Sequence, residues 1–179
     1  MLRIPRHIGV PIAVLLLQCA WGCEPTNQGY SPEQPIAYSH AVHAGAMQIN
    51  CQYCHFAART SRHAGIPPAS ICMNCHSQVL KDNPEVLKVV DSIKKGEAIP
   101  WVRVHYLPDH VFFDHSIHIA SGVICQTCHG PVESMGVVSQ WAPLTMGWCI
   151  GCHRESSQLA EDETIVRASP LTDCAVCHH

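Results

Sequence analysis

The chain has 179 residues, enough for one domain or two small ones, and carries a formal net charge of −3. Nucleic-acid binding is disfavoured, because no run of Lys and Arg is present that could follow a phosphate backbone. Aromatic residues make up only 6% of the chain, whereas it contains 13 prolines, 12 cysteines and 14 histidines. Too few large side chains remain for a big core, so this composition indicates a disulfide framework, a metal protein or a haem protein.

The N-terminus has the pattern of an export signal. Two arginines within the first six residues precede an apolar stretch over 8–17. As a helix, residues 8–22 would span roughly 22 Å, less than the hydrocarbon core of a bilayer. Three outcomes fit this segment: cleavage near Ala20, lipidation of Cys23, or an uncleaved short anchor. Each of them predicts a periplasmic location or attachment to the outer face of the cytoplasmic membrane.

Ten of the twelve cysteines form five Cys-x-x-Cys pairs, and a histidine directly follows each pair. Two cysteines at this spacing can reach the two vinyl groups of one porphyrin, and the next residue can then bind the iron axially. A zinc site or a redox dithiol gives no reason for a histidine after every pair. The motifs therefore predict five haem c groups. The paired cysteines are Cys51 and Cys54, Cys72 and Cys75, Cys125 and Cys128, Cys149 and Cys152, and Cys174 and Cys177. The iron-binding histidines that follow them are His55, His76, His129, His153 and His178.

Two histidine pairs, His40 with His43 and His115 with His118, are candidates for the sixth iron ligands. In each pair an aromatic residue and a short polar residue precede the first histidine. Residues i and i+3 of a helical turn lie near the same face at slightly different angles, so one pair can reach two irons. We predict that the first histidine of each pair serves the nearest downstream motif and that the second serves another.

One more sixth ligand is required if all five irons are six-coordinate, as is usual for haems that carry electrons. His105, at the end of an extended apolar stretch, is the predicted ligand, and His110 competes with it. Met135 and Met146 are further alternatives, since a thioether is a common sixth ligand that raises the reduction potential. Core packing is the more ordinary role of a methionine.

The motifs divide the chain into a small internal repeat. In each half a histidine pair precedes two motifs, whose first cysteines are 21 residues apart in one half and 24 in the other. Capping residues predict a helix at about 84–95, and a weaker pattern predicts one at 156–167. We predict a mostly α and irregular fold without substantial β-sheet, in which the haems form the core. The predicted segments are a signal peptide or anchor (1–22), a linker (23–35), a first dihaem module (36–80), a connector (81–110), a second dihaem module (111–154) and a C-terminal segment with the fifth motif (155–179).

Longer stretches surround the motifs, among them WVRVHYLPDHVFFDHSIH and APLTMGWCIGCHRE. These stretches resemble the pentahaem cytochrome subunit of alternative complex III, a bacterial quinol-oxidising complex, within the multihaem cytochrome c3/c7-like family. The likeness covers about residues 38–179. Its most specific parts are the patterns WVRVH…LP and PLTMGWCxxCHR, which go well beyond the general haem motif. The stretches that carry it are SHAVHAG, AGIPPASICMNCH, WVRVHYLPDHVFFDHSIH, GVICQTCHGPVESM and APLTMGWCIGCHRE.

This resemblance implies an electron-transfer subunit that is not itself catalytic. It implies docking on an iron–sulfur or molybdopterin-like subunit and on a polytopic quinol-binding membrane subunit, with electrons passing to a monohaem cytochrome c or an oxidase. Two other functions stay open: a stand-alone periplasmic carrier or small quinol dehydrogenase, and a multihaem reductase, which needs an open iron. The resemblance also implies bis-histidine ligation through His40, His43, His105, His115 and His118.

Overall fold

The computed structural model describes residues 26–159 and 172–178. In these residues short helices are joined by irregular segments without any strand, so the predicted helical and irregular fold is confirmed. The predicted signal or anchor segment, Cys23 and most of the predicted helix at 156–167 lie outside the described residues. The α-helices are α1 (Cys51–Cys54), α2 (Ala69–His76), α3 (Pro84–Lys95), α4 (His115–Ala120), α5 (Gln126–His129) and α6 (Met146–Leu159). A π-helix spans Ala41–Ala46, and 3₁₀ helices span Phe56–Arg59, Val132–Ser134 and Cys174–Val176.

Helix α3 occupies the segment between the two halves of the repeat. The side chain of Asn83 accepts a hydrogen bond from the backbone N–H of Glu85 and so caps the first turn. Pro84 lies at the first helical position, where its missing N–H removes no helical bond. Gly96 ends the helix in the left-handed conformation (φ 69°), which costs a glycine little. These residues are the start and stop signals from which the sequence predicts this helix.

An N-terminal strap, residues 27–37, holds distant parts of the chain together by hydrogen bonds. The side-chain amide of Gln34 donates to the carbonyl of Val102 (3.0 Å) and accepts from the N–H of the same residue (2.9 Å). Further along, the N–H of Ala37 donates to the carboxylate of Glu85 at the start of α3 (2.8 Å). The strap is therefore bound to the connector at two places, at Val102 and at the start of helix α3.

Gln140 is the most deeply buried polar residue among those described, with 1% of its surface exposed. Its side-chain oxygen accepts hydrogen bonds from the N–H of Tyr106 (2.9 Å) and from Nδ2 of Asn27 (3.3 Å). Its Nε2 donates to the carbonyls of Ala142 (3.1 Å) and Pro143 (3.4 Å). One amide thus joins the strap, the connector and the segment that leads into α6.

The apolar core of the described residues is small, and much apolar surface near the motifs stays exposed. Close to the motifs, Leu80, Ile117 and Ile124 keep 64%, 61% and 65% of their surface exposed. Surface of this kind matches the flat apolar faces of a porphyrin, which would cover it. None of the helices in the described ranges has the length and apolar character needed to cross a membrane. The buried apolar residues are Ile36, Ala58, Val86, Val89, Val104 and Ala142.

Candidate haem-binding sites

Each of the five motifs lies on a helical turn, which brings residues i and i+3 to one face. Helix α1 coincides with the first cysteine pair, and its start is capped by the side chain of Asn50 (2.9 Å to the N–H of Gln52). The 3₁₀ helix of the fifth motif is capped in the same way by Asp173 (3.0 Å to the N–H of Ala175). None of the ten motif cysteines takes part in a disulfide, so each is available for a thioether bond.

Four of the five motif histidines lie opposite a histidine from another part of the chain. Two imidazoles that bind one iron through bonds of about 2 Å have ring centroids roughly 6 Å apart. The observed separations fit this spacing. The centroid distances are 6.1 Å for His43 and His76, 6.4 Å for His115 and His129, 6.1 Å for His118 and His153, and 5.6 Å for His110 and His178.

Backbone carbonyls fix the orientation of most of these rings. A carbonyl can only accept, so the Nδ1 that it contacts carries the proton and Nε2 keeps the lone pair that binds a metal. Partners of this kind are usual for metal-bound histidines, and they support the fit of these residues to haem iron. The Nδ1-to-oxygen distances are 2.9 Å for His43 and Ser39, 2.7 Å for His55 and Gly65, 2.9 Å for His76 and Val79, 2.7 Å for His115 and Arg62, 2.7 Å for His118 and Asp114, and 3.3 Å for His178 and His110.

The two histidine pairs have the same local geometry, as their sequence repeat suggests. Tyr38 stacks on the ring of His43 (4.4 Å, 23°) and meets His40 edge-on (4.9 Å, 88°). In the second half Phe113 lies 4.5 Å from the second histidine at 31° and meets the first edge-on at 4.8 Å. In each pair one aromatic ring therefore contacts both histidine rings at different angles and holds them toward different motifs.

Burial keeps two of the histidines neutral. Burial, together with the nearby rings of His105 and His115, lowers the pKa of His129 to about 4. Burial, together with the nearby ring of His55 in the first motif, lowers the pKa of His40 to about 4. Neutral imidazole is the form that binds a metal, so both rings are ready for ligation at neutral pH. His40 is thus close to the motif that the sequence assigns to it.

Cysteines of different motifs lie close enough to influence one another, which shows how the motifs are arranged. Burial, together with the nearby thiols of the fourth motif, raises the pKa of Cys128 in the third motif to about 11. Burial also raises the pKa of Cys54, Cys125 and Cys149. In each case the second cause is a nearby thiol of another motif, namely Cys72 for Cys54, Cys51 for Cys125 and Cys177 for Cys149. These neighbours connect the motifs in the order second, first, third, fourth and fifth.

His105 and His110, the two candidates for the remaining sixth ligand, face different motif histidines. His105, the predicted sixth ligand, lies with its Nε2 3.1 Å from Nδ1 of His129 and with its ring at 80° to that ring. His110, the alternative, lies opposite the fifth motif histidine, His178. No local signal separates the two in the sequence, because the choice depends on where the distant C-terminal motif packs.

The two candidate methionines have other surroundings. Met146 begins α6 and is 67% exposed. The sulfur of Met135 lies 4.0 Å from the hydroxyl of Ser139, and its backbone carbonyl accepts from the N–H of Ala41 in the π-helix (2.9 Å). Met135 therefore helps to hold the helix of the first histidine pair.

The paired imidazoles and the motif thiols fit the covalent attachment of c-type haem and the ligation of its iron. Residues 111–179, which contain the last three motifs, match the family model described as cytochrome c7 and related cytochrome c. The chain is also similar to the "Menaquinone reductase, multiheme cytochrome c subunit" of Nitratidesulfovibrio vulgaris Hildenborough. The two are 29% identical over 195 aligned positions, which cover 97% of this chain and 89% of that protein.

Proposed function

We propose that the chain carries five haem c groups, one on each motif, and that two histidines hold every iron. The observation that carries this proposal is the set of four imidazole pairs spaced about 6 Å apart, in which most of the rings contact a backbone carbonyl through Nδ1. Each haem would supply a reversible one-electron centre, and two histidine side chains would hold its iron. The second ligands in this proposal are His40 for the first motif, His43 for the second, His115 for the third, His118 for the fourth and His110 for the fifth.

The haem number and ligation are tested on the intact, mature chain. Its mass should exceed that of the polypeptide by five haems, and low-temperature EPR should contain only low-spin signals. Removing the last thiols in a Cys174→Ala, Cys177→Ala chain should lower the mass by one haem and leave the other four. A wild-type mass with four haems, or a high-spin signal of about one iron per chain, would contradict the proposal. The same spectrum reports N-terminal cleavage and any acyl group on Cys23.

With every axial position filled, the haems conduct electrons and offer no open iron to a substrate. We propose that the chain is an electron-transfer subunit of a quinone-linked complex on the outer face of the cytoplasmic membrane. Electrons pass from a quinol-oxidising membrane subunit, through an iron–sulfur partner, to this chain and on to a monohaem cytochrome c or an oxidase. The resemblance to the alternative complex III subunit supports this direction.

The relative's name gives a specific reason to test the opposite direction, because a menaquinone reductase delivers electrons to quinone. A tagged chain should be purified from solubilised membranes with its partners, and a menaquinol analogue should be mixed with the oxidised complex. Haem reduction within the turnover time supports electron entry from quinol. Rapid reduction only by an external cytochrome c, followed by menaquinone reduction, supports the reverse. Recovery of the chain alone supports a stand-alone carrier and would refute the complex.

A further inference from the structure

His129, in the third motif, has two imidazole neighbours that stand in different relations to it. The ring of His115 is parallel to it within 9°, with centroids 6.4 Å apart, a spacing that fits an iron. The ring of His105 is nearly perpendicular to it at 80°, with centroids only 4.4 Å apart. An iron bound by both rings needs centroids roughly 6 Å apart, so His105 is too close to share one with His129.

His105 instead meets the back edge of His129, where Nδ1 lies 3.1 Å from Nε2 of His105. The motif histidines His55, His76 and His178 contact backbone carbonyls at this atom. The third motif therefore differs in having a side-chain partner, and that partner uses the nitrogen through which histidines most simply reach an iron.

The fold holds the backbone on both sides of His105. The carbonyl of Val104, a buried residue, accepts from Nδ2 of Asn27 (2.9 Å). The N–H of Tyr106 donates to the side chain of Gln140 (2.9 Å), and the carbonyl of His105 accepts from Nε of Arg103 (3.0 Å). The approach of His105 to His129 is thus set by a hydrogen-bond network that includes the N-terminal strap.

We propose that His105 is a positioning residue of the third motif, which accepts a hydrogen bond from Nδ1 of His129 and makes this ligand a stronger donor to its iron. The proposal rests on the proposed function, since it requires a haem on this motif. A neutral His129 that binds iron through Nε2 keeps its proton on Nδ1, so His105 Nε2 must accept. An imidazole nitrogen is a stronger base than a peptide oxygen, so it passes more electron density to the iron and favours the ferric state.

The test compares His105→Phe and His105→Gln in the full chain, followed by redox titration and by EPR. We expect the Phe variant to keep every iron low-spin and to raise the midpoint potential of one haem. Loss of a hydrogen-bond partner of a metal ligand typically lowers metal affinity or activity about tenfold. A tenfold change in the equilibrium constant of a one-electron reduction corresponds to ~59 mV. The Gln variant, whose amide oxygen still accepts, should shift this potential less. His63→Gln, which changes an exposed histidine, is the matched control and should shift none.

A high-spin signal of about one iron per chain in either variant would identify His105 as a ligand and overturn the proposal. Unchanged potentials in the Phe variant would overturn it as well. If the Phe variant does not accumulate, the Gln variant decides: low-spin irons with a small upward shift support the role. Failure of the proposed function is a separate result, because it would appear as a missing haem in the mass of the wild-type chain.

Discussion

The buried side chain of Gln140 offers a sharp test of how this chain is held together. Replacement by leucine in Gln140→Leu keeps a similar volume but removes two donated and two accepted hydrogen bonds. The N–H of Tyr106, which has the shortest of these bonds at 2.9 Å, loses its acceptor. The backbone bonds of Gln140, from Gly29 (2.7 Å) and to Tyr30 (3.0 Å), would still join it to the strap, but its direct bond to the connector at Tyr106 would be lost.

The expected loss of stability follows from these bonds. Each ordinary hydrogen bond contributes about 1 kcal/mol net, and a buried donor left without a partner costs about 1–3 kcal/mol. We therefore expect Gln140→Leu to lower the free energy of unfolding by roughly 2–4 kcal/mol. Urea unfolding of the haem-loaded chain, followed by Soret circular dichroism and extrapolated linearly, measures this difference. Ser31→Ala, which removes an exposed bond to the carbonyl of Val138 (3.1 Å), is the control and should change stability by less than about 0.5 kcal/mol.

A second substitution separates hydrogen bonding from packing. In Gln140→Glu the carboxylate still accepts from Tyr106, but it places an oxygen against the carbonyls of Ala142 and Pro143. Burial of an unpaired carboxylate is unfavourable, so this variant should be less stable than wild type at neutral pH. Protonation restores a donor, so stability should recover on acidification. Equal stability of Gln140→Leu and wild type, or a pH-independent Gln140→Glu, would refute the reasoning.

Three further predictions concern other parts of the molecule. In Gly45→Ala the added Cβ would clash with the backbone of the 3₁₀ helix at 132–134, so the variant should be less stable by about 1–3 kcal/mol in urea unfolding. In the control Gly136→Ala the added Cβ meets no other atom, so stability should not change. His43→Ala should give a high-spin EPR signal of about one iron, and that signal should be absent from a chain that lacks the second motif. Hydrogen bonds from Lys88 and from the backbone hold the pKa of the Glu85 carboxyl below its ordinary value of 4.5. Wild type should therefore be more stable than Glu85→Gln near neutral pH, and this difference should disappear as the pH falls below about 4.5. Acid unfolding of the two chains measures the difference.

Local sequence signals were sufficient for features whose physics is local. Helix α3 has its cap, its first-turn proline and its terminal glycine within one short segment, so its bounds could be read directly. The five motifs and the two histidine pairs are likewise short patterns. Their repeat also indicated that one pair would reach two motifs, and the contact of His43 with His76 has that geometry.

Features that depend on long-range packing could not be read in this way. His105 and His110 are only five residues apart, and which of them faces the fifth motif depends on where the distant C-terminal motif packs. Gln140 has no pattern around it that predicts burial, since its partners lie at Asn27, Tyr106 and Ala142. The close approach of Trp141 to Gly130, which follows the third motif with φ 70°, is another such contact.

The position of the partner histidines along the chain has a consequence for assembly. His43, His110, His115 and His118 each precede in sequence the motif whose ring they face. Since a polypeptide is made from its N-terminus, the second imidazole already exists when the corresponding cysteine pair emerges. Both histidines of such a pair are therefore present as soon as the motif has been made, and no later segment is needed to complete the pair. A chain interrupted after the second motif would already contain both rings required for its centre.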